Sequence, residues 1–141
     1  MINLIVILIL YIYLIICTVT DMKTKKISLK ICLVFFLLGF LINIFLFKTA
    51  VPILLYNLIP GICLLFFSIL TKGAVGCGDA LILIIMSFYM QSVSILMILF
   101  LSLLAASVFS IVLIIKKYSR KYSLPFAPFI TLGYTIFLLL Q

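Results

Sequence analysis

The sequence predicts an all-α, polytopic membrane bundle of about six transmembrane helices, and three observations carry that prediction. Hydrophobic residues fill 69% of 141 positions and charged residues only 9%. A soluble chain of this length has too little interior to hide so much apolar surface, so lipid is its solvent. The apolar residues come in Leu/Ile/Phe-rich runs without period-two alternation. That pattern argues against a membrane β-barrel and for helices, which pair their own backbone groups inside the bilayer. Finally, the basic residues cluster in short stretches between the runs, where they set orientation.

A membrane helix needs about 20 apolar residues, within a range of about 17–25. Residues 2–20 form the first span, stopped by Asp21, Lys23, Lys25 and Lys26. The second covers 27–47 and ends at Lys48; the third runs from Val51 to Leu70, with Pro52 near its start and Pro60 as a candidate kink. Thr71 to Gly78 is a Gly-rich connection leading to Asp79. As one helix, Ala80 to Ile115 would reach about 54 Å, against a hydrocarbon core of about 30 Å. Two slightly short spans with a tight turn around Tyr89–Ser94 are therefore expected, since Gln91, Ser92 and Ser94 are its densest polar cluster. Lys116 to Ser123 is a basic loop, and Leu124 to Leu140 is the last span.

Six spans put nine of the ten basic residues on one side, leaving Lys48 opposite. Positive residues mark the cytoplasmic side, so both termini are expected outside and Asp21 and Asp79 at one cytoplasmic depth. Residues 1–141 read as a single membrane domain in the plasma (inner) membrane. Residues 1–20 lack a positive n-region and an A-x-A site, so a retained span is expected rather than a signal peptide.

Composition also removes several kinds of chemistry. The net charge of +8 belongs to topology-setting loops rather than to a soluble basic module, so no nucleic-acid partner is expected. Cys17, Cys32, Cys63 and Cys77 form no C-x-x-C pair, and there is no His. Zinc ribbons, disulfide frameworks and His-dependent nucleophilic catalysis lack their residues. No metal and no cofactor are expected.

What remains is a pair of acids, Asp21 and Asp79, each at the edge of an apolar run. A carboxylate at a helix centre costs about 2.5–3.5 kcal/mol on insertion scales, and less at the border. Two carboxylates that share a proton suffice for acid/base hydrolysis of an amide without a metal. In Gly76-Cys77-Gly78-Asp79, the glycines permit backbone torsions closed to other residues and close approach of an extended strand. The plain alternative is a helix turn with Asp79 as N-cap. Asp21-Met22-Lys23-Thr24-Lys25-Lys26-Ile27 reads equally as a stop-transfer loop, although Asp21 stands at a helix C-terminus, where negative charge is unfavourable. In Leu124-Pro125-Phe126-Ala127-Pro128-Phe129, two prolines fit a first helical turn and thin out the local N–H donors.

Together these segments resemble the type IV prepilin peptidase family, membrane aspartyl proteases of the GxGD class. Asp21, Lys23 and Ile27 match the first family motif, D-x-[RK]-x-x-x-I-P, and Gly76, Gly78 and Asp79 match GxGD. Pro125, Phe126, Pro128 and Phe129 match the Pro-Phe-Gly-Pro-Phe patch. Departures are Ser28 in place of Pro, Ala127 in place of Gly, and Leu81 where many members have Lys. The resemblance implies catalytic Asp21 and Asp79, an active-site loop at Gly76 and Gly78, and support from Lys23, Ile27, Pro125 and Pro128. It implies cleavage of the leader from a prepilin-like membrane protein on the cytoplasmic side. Longer members carry a region with paired cysteines linked to N-methylation; without such a pair, no methyltransferase activity is expected. The substrate's identity, its flanking residues and the oligomeric state are left open. An ion- or proton-coupled transporter using both aspartates is the alternative, but such sites sit near midplane between discontinuous helices.

Overall fold

The computed structural model describes residues 2–24, 27–71, 76–115 and 125–140. Among them the chain is all-helical: α1 (Ile2–Thr24), α2 (Leu29–Ile42), α3 (Val51–Leu70), α4 (Cys77–Met86), α5 (Ser92–Ile115) and α6 (Ala127–Leu139). A π-helical turn, Asn43–Phe47, extends α2 and ends at Lys48 in the left-handed conformation. Among the described residues four segments are long and apolar enough to cross a membrane: Leu4–Thr24, Leu29–Phe47, Val51–Leu70 and Val93–Leu113. Large apolar side chains such as Leu33, Phe66 and Phe100 point outward from them, as in helices solvated by lipid.

The short helix α4 is the centre. Ala80, Ile82, Leu83, Ile85 and Met86 are all buried, and a helix apolar on every side belongs inside a bundle. It packs on α3, α2 and α1, while α6 lies between α1 and α5. Close packing of α3 on α4 depends on Gly61, where an added methyl group would come 2.8 Å from the Ile84 backbone nitrogen. Pro60 beside it is buried, and α3 continues through it to Leu70. Tyr13, Leu10 and Leu14 of α1 and Ile130 and Tyr134 of α6 complete the core. These two helices run antiparallel, since Thr18 meets Thr131 and Tyr134 reaches the Ile7 carbonyl.

The third span has the predicted bounds, Val51–Leu70. The break after α4 does not. It falls at Ser87–Gln91 rather than around Tyr89–Ser94, and the helices on either side of it have 10 and 24 residues instead of forming two similar spans. Local and distant groups cause this. The Ser87 hydroxyl turns back on the Leu83 carbonyl, and the Phe88 and Tyr89 N–H groups tighten onto Ile85 and Met86. Asn43 Nδ2 then donates to the Phe88 carbonyl as well as to Gly39, and Tyr89 Oη donates to Phe35 at 2.7 Å. Ser87, Phe88 and Tyr89 are buried, and irregular backbone inside a membrane protein needs such partners. The basic loop at 116–123, together with Lys25, Lys26 and Lys72, lies outside the described residues.

Candidate active site

Three helix ends meet at one end of the bundle: the last turn of α1 and the first turns of α4 and α6. Asp21 sits one turn before the end of α1 and is buried, with 9% of its surface exposed. Its Oδ2 accepts a hydrogen bond from the Ala127 N–H at 3.1 Å. Ala127 is the first residue of α6, so its amide is one of the unpaired donors that make a helix start attractive to anions. The adjacent prolines sharpen this donor. Pro128 has no N–H, and Phe129 and Ile130 already donate to the Phe126 carbonyl. A negative charge misplaced on α1 is thus well placed on α6.

Asp79 lies in the first turn of α4, outside the four long spans. It is not the N-cap: Gly76 holds that position and accepts the Asp79 N–H at 3.1 Å. Nor does Gly76 use a torsion reserved for glycine, since its φ of −62° and ψ of 122° are open to any residue. What it supplies is room. A methyl group on Gly76 would come 2.7 Å from Asp79 Oδ2, so the carboxylate folds back over the bare loop backbone. Burial first, and the nearby Asp21 carboxylate second, push the Asp79 carboxyl above the usual carboxylate range. The two acids are therefore within electrostatic reach of each other, on the same end of the molecule.

The first two motifs also touch. A methyl group on Gly78 would come 2.6 Å from Ile27 Cδ1, so the side chain of Ile27 lies against the bare face of Gly78. This contact gives Ile27 a physical reason to follow Asp21 at its spacing. Cys77, exposed between the glycines, has its Sγ 3.0 Å from Ser68 Oγ on α3. Pro125 and Pro128 are half-buried around the start of α6. Lys23 is exposed in the last turn of α1, away from the buried face that carries Asp21. No group of three or more His, Cys, Asp or Glu that could hold a metal ion occurs among the described residues.

Residues 8–111 match the model of the type IV leader peptidase family. The chain belongs to that family. The matched stretch contains Asp21, Ile27, Gly76, Gly78 and Asp79, and it stops before α6. Family membership and the four long apolar helices make the chain a multi-pass membrane peptidase. No curated protein and no solved structure compared with the chain matches it. One group at this candidate site was not foreseen from the sequence, the Ala127 amide. Its signal was indirect: Pro125 and Pro128 flank Phe126 and Ala127, which keep their N–H groups.

Proposed function

We propose that this leader peptidase is an aspartic endopeptidase that removes the leader of a prepilin-like protein at the cytoplasmic face of the plasma membrane. The observation that supports it best is the placement of Asp21 and Asp79, the chain's two acids, at one end of the bundle, where Ala127 holds Asp21 and Ile27 lies against Gly78 beside Asp79. Asp79, whose carboxyl burial and Asp21 push toward the protonated form, serves as the acid. Asp21, an acceptor held by the Ala127 amide, serves as the base. Asp21 takes a proton from water, whose oxygen adds to the scissile carbonyl while Asp79 donates a hydrogen bond to the developing oxyanion. The C–N bond then breaks as the proton held by Asp21 passes to the leaving amine, and Asp79 retains its own. Gly76, with no side chain of its own, lets the Asp79 carboxylate lie over the loop backbone. The sequence's lack of a C-x-x-C pair agrees with proteolysis without N-methylation.

The Ala127 contact also favours a plainer role for Asp21, as a cap on α6. Asparagine separates the two, because it retains an acceptor oxygen but cannot take a proton. Purified protein in detergent is incubated with a prepilin-like substrate, and the Asp21→Asn and Asp79→Asn variants are compared with the parent. The expected result is loss of cleavage by at least about 100-fold in each, within the range of acid/base contributions, with the melting temperature of Asp21→Asn close to the parent's. Cleavage at parental rate by either variant defeats the proposal.

A further inference from the structure

Outside the bundle, α1 and α6 leave a shallow open groove of about 150 Å³ lined by Tyr11, Thr18, Thr131 and Thr135 among apolar neighbours. Two features distinguish it from an ordinary lipid-facing seam. The first is polarity. Thr18 donates to Thr131 at 3.5 Å, and Thr131 and Thr135 hydroxyls spend their protons on the Pro128 and Leu132 carbonyls, which leaves oxygen lone pairs on the groove wall. The Tyr11 ring stacks at a tilt on Tyr134, but its hydroxyl has no hydrogen-bond partner among the described residues. Tyr11 is ten residues before Asp21, about 15 Å along the helix and near mid-span. An unpaired phenol at that depth is costly in hydrocarbon and inexpensive beside a partner that offers an acceptor.

The second feature is continuity with the candidate active site. Thr18 is one turn from Asp21 on α1, and Thr131 is hydrogen-bonded to Pro128, next to the Ala127 amide that holds Asp21. The groove thus leads along the bundle to the level of the acids. A leader peptidase must cut where an apolar helix begins. A helix lying in this groove, antiparallel to α1, has its cytoplasmic end at the level of Asp21.

We infer that the α1–α6 groove docks the apolar membrane helix of the substrate, with Tyr11 donating a hydrogen bond to it, and so sets where the leader is cut. The inference rests on the proposed proteolysis, and its test has a part that does not require cleavage. Two substrates are compared: a prepilin-like protein with leader and helix, and a short peptide carrying the same junction without the helix. Thr135→Trp, which fills the groove, raises KM for the helical substrate tenfold or more and leaves peptide cleavage unchanged. Tyr11→Phe, which keeps the ring on Tyr134, raises it severalfold on the helical substrate alone. Equal losses on both substrates, or no change on either, overturn the inference. Independently, Thr135→Cys is introduced into the Asp21→Asn protein with Cys63 and Cys77 replaced by Ser, and oxidised with a substrate carrying one cysteine in its helix. A disulfide between enzyme and substrate is expected. A disulfide joining two enzyme copies through the introduced thiol, or no cross-link, overturns the docking proposal. Failure of the parent to cleave either substrate defeats the proteolytic reading instead, and the cross-link still decides the docking.

Discussion

At Gly78 the absence of one methyl group lets two distant parts of the sequence close on each other. Gly78→Ala drives that methyl into Ile27 Cδ1, an overpacking that costs about 1–3 kcal/mol. Ile27→Val removes the obstructing Cδ1, so the double variant should recover much of the lost melting temperature. Equal instability of the single and double variants would show that the contact is incidental. Asp79 carries a different residue-scale prediction. Its carboxyl is raised in the folded protein by burial and by Asp21. The folded state therefore holds a proton that the unfolded chain has already released. Stability from this group is fully present below the ordinary aspartate pKa and is lost as pH rises through the raised one. Asn cannot ionise, so Asp79→Asn should melt above the parent at pH 8 and converge with it near pH 4. A gap that is the same at both values would contradict the buried-acid description. The peptidase rate should likewise fall on the alkaline side as Asp79 gives up its proton.

Among the elements, α4 is the one whose form the local sequence does not dictate. Apolar residues continue well past Met86, yet the helix stops there because its carbonyls and N–H groups find other partners. The key partner, Asn43, lies 45 residues away on the π-helical end of α2, and Thr49 holds its amide oxygen in turn. Asn43→Ala leaves the Phe88 carbonyl buried and unpaired, at a cost of about 1–3 kcal/mol. The expected sign is a lower melting temperature in detergent and reduced cleavage, because the same helix carries Asp79 at its other end. An unchanged melting temperature would mean that another donor or water serves Phe88. The other boundaries were easier to read. Val51–Leu70 follows from Pro52 at its start and the Thr-Lys-Gly segment after it, signals contained in the run itself.

For the whole molecule, charge placement predicts that Lys48 lies outside and Lys23 inside, with α1, α4 and α6 presenting the acids to the cytoplasm. Single cysteines at these two positions, in a background whose exposed Cys63 and Cys77 are replaced by Ser, test this with a membrane-impermeant maleimide on intact cells. Position 48 should label directly and position 23 only after permeabilisation; the reverse pattern would put the acids on the wrong face for the proposed substrate. The helical bundle and the candidacy of its two acids were legible in a single chain, because hydropathy and charge are summed locally and lipid imposes the same rule on every segment. Contacts between segments were not legible. The amide that turns Asp21 from a misplaced charge into a held one, the side chain that occupies the bare face of Gly78, and the room above Gly76 all come from residues brought together in space. The early end of α4 and the hydroxyl-lined groove have the same origin. A hydrogen bond or a close approach depends on ångström distances between helices, and those distances exist only once the helices have packed.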